Sequence, residues 1–256
     1  MNLFLVGFLV LFLELACIRW FAAYVIFLQF FTNVVLMASF LGMSCGCLAA
    51  RSGRDWLRRF PFLALGTILA ALAIHVLYMH WSGIAIEVGH QASPQEVFFG
   101  TEDRNPDVAR FVVPIEYIAG VFLVLIAWLF VGLGQALGQA FAASSSRLLG
   151  YMSNIGGSLA GIAAFSLIAF LQAPPPVWFA VCAAGVGYLL YQARSLTAPR
   201  LLALAALPLV VAIPEIERHF LAGADLRWSP YYAVGDRKST RLNSSHSDRS
   251  RMPSSA

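Results

Sequence analysis

The chain has 256 residues, of which 59% are hydrophobic and only 12% charged. That composition lies outside the range of soluble domains and inside that of membrane proteins. The formal net charge of +4 does not argue for nucleic acid, because residues 236–256 hold five of the 17 Lys+Arg and two of the 13 Asp+Glu, leaving 12 basic against 11 acidic.

In chain order, the apolar runs are Leu3–Ile18, Phe21–Ala50, Phe62–Trp81, Ile115–Leu137, Leu148–Leu171, Val177–Ala193 and a shorter one at Leu201–Ile213. A helix needs about 20 apolar residues to cross the hydrocarbon core of a bilayer. Six runs therefore predict spans, the first gaining length if Met1 and Arg19–Trp20 sit at the interfaces. Leu201–Ile213, with Pro208 in its middle, reads as a doubtful seventh that lies on or re-enters the membrane. A cleaved signal peptide is disfavoured for the first run because no basic segment precedes it.

Charges between the runs orient the chain. Arg51, Arg54, Arg58 and Arg59 against Asp55 form the one dense basic cluster, which predicts a cytoplasmic loop. The 32-residue connection Ser82–Val113 carries Glu87, Glu96, Glu102, Asp103 and Asp107 against Arg104 and Arg110, and is expected outside. Arg147, Arg194 and Arg200 then fall inside, as does the amino terminus. With six spans the chain after Arg194 is cytoplasmic; with seven it emerges outside.

Packing is legible in three Gly-xxx-Gly strips, Gly42–Gly46, Gly134–Gly138 and Gly157–Gly161, the last extended by Ser153. Glycines four apart make a flat strip on which a neighbouring backbone approaches closely. Pro174–Pro176 is expected to make a tight external turn, since proline does not continue a helix. Pro61 and Pro114 are expected to open helices. Cys45 and Cys47 point about 200° apart on a helix. Together with Cys17 and Cys182 they read as small packing residues, not a metal set or a bridge.

Polar residues inside a membrane are costly and frequently functional. Glu14 and Arg19 lie five apart, about 140° around a helix, so they do not pair locally. Arg19 is expected to snorkel to the interface, whereas Glu14 needs a partner from another helix or stays protonated. Gln29 and Asn33 share one face, as do Gln135 and Gln139, and Asn154 is a further interhelical hydrogen-bonder. Structural glue is the favoured role for this set, and a substrate or proton path the other. Glu116 follows Pro114 in a first helical turn, where the dipole favours a carboxylate. His75 and His80 lie five apart on different faces and lack a facing histidine for haem, with His90 and His219 in polar segments. Ser44 in Gly-Met-Ser-Cys-Gly superficially resembles an intramembrane protease nucleophile. That reading is rejected for want of a matched basic partner in a later helix. No catalytic, cofactor or metal position is assigned. The candidate intramembrane polar site is Glu14, Asn33 and Asn154.

Two resemblances close the reading. Residues 236–246 and 250–256 read back, in one frame, to a common sequencing-library adapter, with Ser247, Asp248 and Arg249 where an index barcode falls. The expectation is that the native reading frame was cut near Gly235, so that 236–256 is a non-native disordered tail; an ordinary Ser/Arg-rich tail is the plainer alternative. The second resemblance is to membrane-bound spermidine synthase-like proteins. It rests on Glu14-Leu-Ala-Cys-Ile-Arg19, Ala38-Ser-Phe-Leu-Gly-Met-Ser-Cys-Gly46, Gly150-Tyr-Met-Ser-Asn-Ile-Gly-Gly-Ser158 and Trp228-Ser-Pro-Tyr-Tyr232, and covers residues 3–235.

What the second resemblance implies is an all-α integral membrane helical bundle of six to seven transmembrane helices, residues 1–213 with the external acidic loop 82–113. A linker at 214–235 would then begin a missing α/β methyltransferase-like domain, opening with a β-hairpin from Ser229-Pro-Tyr-Tyr-Ala-Val. It further implies a bacterial inner (plasma) membrane, multi-pass, with a cytoplasmic amino terminus. The intact relative would transfer an aminopropyl group from decarboxylated S-adenosylmethionine to putrescine. Soluble spermidine synthases read Ser-x-Tyr-Gln at the hairpin, and Tyr232 in place of that Gln puts the amine acceptor in doubt. The fragment itself is expected to hold no cofactor and to be catalytically empty, an anchor or an amine path. Its partners would be the lipid bilayer, a second copy in a homo-oligomer and a polyamine or other amine, but no nucleic acid. The alternative is a stand-alone small multi-pass transporter or channel; Phe40–Ala50 and Ile155–Phe165 share a Gly-rich texture of the kind internal repeats leave.

Overall fold

The computed structural model describes residues 2–25, 32–80, 84–87, 111–221, 225–229 and 233–236. Its long helices are α1 (Leu3–Tyr24), α2 (Thr32–Leu48), α3 (Phe60–His80), α4 (Ile115–Ala142), α5 (Arg147–Phe170), α6 (Pro175–Gln192) and α7 (Ala198–Leu221). Four short strands complete the described elements. β1 (Ile84–Glu87) pairs in parallel with β2 (Phe111–Pro114), closing the two ends of the acidic connection on each other. β3 (Asp225–Trp228) pairs antiparallel with β4 (Ala233–Asp236). Gln29, residues 88–110 with His90 and the charges Glu96, Glu102, Asp103, Arg104, Asp107 and Arg110, residues 230–232 with Tyr232, and residues 237–256 lie outside the described residues.

Six of the helices, α1 to α5 and α7, are long and apolar enough to cross a membrane; the run Val177–Ala193, read as a span, is the 18-residue α6 and is not among them, whereas the doubtful Leu201–Ile213 run is. Their outward faces agree with that: Leu48 is 86% exposed, Phe170 72% and Leu209 70%, and such apolar side chains recur along α2, α5 and α7. A soluble monomer rarely presents contiguous apolar surface of this extent. Beneath it, α1 forms the centre of the core, with Phe12, Trp20 and Phe21 fully buried among Phe122, Phe130, Trp178 and Phe179 from α4 and α6.

The glycine strips pair the helices. Gly42 and Gly46 of α2 lie against the α4 backbone at Ala127 and Val131, while Gly134 and Gly138 of α4 lie against Met43 and Cys47. Two of the three strips thus face each other. The third, Gly157–Gly161 on α5, receives the α1 backbone at Phe4 and Phe8, and Gly7 of α1 faces Asn154 in return. Residue numbers rise together in both contacts, so α1 runs parallel to α5 and α2 to α4.

The ends of the bundle alternate along the chain. At one end, Leu3 meets Gly150, Trp56 meets Gln135, and Arg200 donates to the Arg58 carbonyl. At the other, Tyr24 meets His75, Arg19 meets Trp178, and Trp228 packs on both Tyr24 and Trp178. Seven traversals therefore carry the chain from Leu3 at the arginine-rich end to Trp228 at the opposite end.

Several boundaries differ from the sequence reading. α1 extends beyond Ile18 to Tyr24, taking Arg19 and Trp20 inside the helix, where the guanidinium lies over Trp178 and Trp228 and donates through Nη2 to the Ser229 carbonyl while Nε and Nη1 are buried without a hydrogen-bond partner. The run Phe21–Ala50 is divided, with helix from Thr32 onward. The doubtful Leu201–Ile213 run is a 24-residue helix that continues through Pro208 and Pro214 to Leu221. Prolines are tolerated in apolar helices when neighbouring helices support the freed backbone, and α7 packs on both α6 and α3. Of the three consecutive prolines, Pro174 is the N-cap and Pro175–Pro176 open α6. Their missing N–H groups fall where no helical partner exists anyway. The turn itself is made at Leu171–Gln172, with Gln172 at φ 57°.

Candidate intramembrane polar site

Glu14 sits midway along α1, 2% exposed. Its Oε1 lies 2.7 Å from Ser39 Oγ of α2, and its Oε2 is buried with no hydrogen-bond partner. Ser39, fully buried, also lies 2.8 Å from the Leu36 carbonyl, one turn back on its own helix.

The other two candidates do not join this carboxyl. Asn154 faces Gly7, seven residues before Glu14 and so about 10 Å away along the α1 axis; its Oδ1 is buried without a partner. Asn33 opens α2 and is exposed, six residues before Ser39. The three residues occupy three depths of the bundle.

Gln135 and Gln139 act as interhelical glue. Gln135, 1% exposed, uses both ends of its amide. Nε2 donates to the carbonyls of Ala49 (3.0 Å) and Arg54 (2.6 Å), and Oε1 accepts from the Trp56 N–H (2.7 Å). One side chain thereby closes the connection between α2 and α3, where single 3-10 turns at Ala49–Arg51 and Leu57–Arg59 leave backbone groups unpaired. Gln139 adds a longer contact to the Ala50 carbonyl.

Arg19 departs furthest from expectation. It does not snorkel outward: its guanidinium carbon lies 4.9 Å from the Trp178 ring and 5.5 Å from that of Trp228, and it donates to the Ser229 carbonyl. Trp228, 5% exposed, in turn donates its indole N–H to Glu215 of α7. Three distant segments, α1, α6 and the Trp228–Ser229 stretch, meet at this one cation, and α7 joins them through Glu215 on Trp228. Sequence reasoning marked Arg19 and Trp228 separately, but nothing local indicated that they touch, and Trp178 and Ser39 passed unremarked.

His75 Nδ1 lies 3.0 Å from the Tyr24 carbonyl in a buried contact. Ser44 is exposed on α2. His75 does lie in a later helix, but at the opposite end of the bundle, so it is no partner for Ser44. All four cysteines are free, Cys17 and Cys182 buried, Cys45 and Cys47 exposed. Among the described residues no group of three His, Cys, Asp or Glu is arranged to hold a metal. A groove of about 460 Å³ between α6 and α7, lined by Ala180, Ala184, Gly187, Tyr188, Leu204 and Pro208, is apolar and contains none of the candidate polar residues. No family model, curated protein or solved structure matches the chain.

Proposed function

We propose that the chain is the membrane module of a spermidine synthase-like protein, an anchor that docks the start of a following domain against one end of its helix bundle. The observation that carries this reading is the Arg19 contact. The Glu-Arg motif of the first helix and the Trp-Ser-Pro-Tyr-Tyr motif lie 210 residues apart, counted from Arg19 to Ser229. They are two of the stretches on which the resemblance rests. Their meeting through a cation, two indoles and a carbonyl supports a junction held rigidly, where a flexible tether would need no such contact.

We also propose a sidedness, from the distribution of arginines along the same bundle. The arginines at 51, 54, 58, 59, 147, 194 and 200 lie at the end opposite Trp228. By the positive-inside rule that end is cytoplasmic, and the docked junction faces away from the cytoplasm. An aminopropyl transfer drawing on a cytoplasmic adenosyl donor needs the opposite placement. Seven traversals therefore favour the anchoring half of the reading and weigh against decarboxylated S-adenosylmethionine as co-substrate.

Two measurements test the proposal. Sequencing the source DNA downstream of the Gly235 codon should reveal a strand followed by a Gly-x-Gly-x-Gly loop within about a hundred codons, the reach of one domain. An early stop there would instead favour the stand-alone transporter or channel. For sidedness, Asp225→Cys should react with an impermeant thiol reagent added outside intact cells while Ser52→Cys stays protected. The reverse pattern overturns the orientation.

A further inference from the structure

We infer that Glu14 and Ser39 form a proton-binding site inside the bundle, in which Glu14 is the neutral acid and donates its proton to Ser39 Oγ. The argument is a count of protons. Ser39 Oγ lies 2.7 Å from Glu14 Oε1 and 2.8 Å from the Leu36 carbonyl oxygen, both hydrogen-bond distances between oxygens. Each contact requires one proton between its two atoms. A serine hydroxyl supplies one, and a carbonyl none. The bond from a helical serine to a carbonyl one turn back is a common place for that hydroxyl proton. With it there, the contact to Glu14 is satisfied only if Glu14 brings the second proton. An ionised Glu14 would leave either two lone pairs facing each other at the Leu36 contact or a bare carboxylate oxygen against Ser39.

The surroundings agree. Glu14 Oε2 has no donor, a tolerable state for the carbonyl oxygen of an acid but a costly one for an anion out of water. The polar groups around this level are few. On α1 they are Cys17, one turn on and buried, and Arg19, on another face and engaged with Trp178, Trp228 and Ser229. From α2 there is Ser39, from α6 the buried thiol Cys182, and from α5 Asn154 and Ser158, which meet α1 two turns away at Gly7. α4 presents Phe122, Ile126 and Phe130, and the buried polar groups of α3 are Thr67, whose hydroxyl donates to the Leu63 carbonyl of its own helix, and His75, bonded to the Tyr24 carbonyl. The one ion pair among the described residues, Arg58 with Asp55, lies at the arginine-rich end. Among the described residues no cation is paired with Glu14. In this conformation the site takes a proton and not an amine cation, whatever follows Gly235.

Infrared difference spectroscopy on the purified full chain in detergent at neutral pH tests this. Subtracting the Glu14→Gln spectrum from that of the unmodified protein should leave one carboxylic-acid C=O band and no carboxylate bands. Ser39→Ala, which removes the acceptor, should shift the acid band to higher frequency while keeping it in place of a carboxylate. A carboxylate pair in the difference spectrum overturns the inference. So does an acid band unmoved by Ser39→Ala. Should Glu14→Gln fail to fold, the Ser39→Ala shift taken against the unmodified protein decides the question alone.

Discussion

Adjacent glycines in α5 offer a sharp contrast. A Cβ on Gly157 would stand 2.9 Å from the Phe4 Cα and 2.8 Å from its carbonyl carbon, with the carbonyl oxygen nearer still. Unstrained carbon–carbon contacts lie at about 3.5–4.0 Å. Gly157→Ala therefore forces α1 and α5 apart by roughly 0.6 Å or more at this point, a gap that forfeits about a quarter to a half of each neighbouring dispersion contact. Overpacking of this kind costs about 1–3 kcal/mol, and the obstacle here is backbone, which puts the cost near the top of that range. Alanine returns about 0.5–1 kcal/mol of helix preference over glycine, leaving Gly157→Ala destabilised by about 2 kcal/mol. At Gly156 a Cβ would meet only the Phe4 ring, at 3.8 Å. Gly156→Ala keeps the helix gain of about 0.5–1 kcal/mol and incurs no clash. The two variants should therefore differ by about 2–3 kcal/mol, roughly 30- to 150-fold in the unfolding constant. Titration with SDS in mixed micelles, followed by fluorescence of the tryptophans clustered around α1, reads this difference. Equal shifts for the two variants, or a Gly157→Ala more stable than Gly156→Ala, would refute the close-approach argument.

Other expectations follow from single residues. Gln135→Leu leaves the Ala49 and Arg54 carbonyls and the Trp56 N–H without their partner. At about 1–3 kcal/mol for each buried group, partly offset by water at this half-exposed turn, the loss should be about 2–4 kcal/mol; a lowered melting temperature in detergent and faster tryptic cleavage at Arg51–Arg59 would register it. Gln139→Ala, which gives up one exposed contact at 3.4 Å, should change the melting temperature by no more than a degree or two by the same assay. Arg19→Leu removes two cation–π contacts worth about 0.5–2 kcal/mol each. It should release Trp228, seen as a red-shifted emission and new access to a soluble quencher, and unchanged emission would contradict the docked junction. Arg19→Lys should recover part of the cation–π contribution but not the geometry of the planar guanidinium.

Helical segments and their close-packing strips were legible from local pattern alone. A helix in an apolar surrounding satisfies its own backbone, so Leu3–Ile18 or Leu148–Leu171 reads as a span from neighbouring residues. Gly-xxx-Gly likewise announces a flat face wherever it occurs, and Gln135 announced an interhelical bond. What local pattern left undecided was every choice of partner. Gly42–Gly46 meets Gly134–Gly138 while Gly157–Gly161 takes α1, and all three strips look alike in one dimension. The end of α1 was placed too early because Arg19 reads as a boundary, and only Trp178 and Trp228, brought in from residues far along the chain, make a cation acceptable there. Leu201–Ile213 reads as too short for a span because its apolar run is brief and Pro208 interrupts it, and support for the longer α7 from α3 and α6 is a tertiary fact. That one helix changes the count of traversals from six to seven, and with it the end of the bundle at which the chain emerges. Local preference draws on the few residues within a turn or two; partners, and the burial of Glu14 against Ser39, depend on contacts that exist only after the helices have assembled.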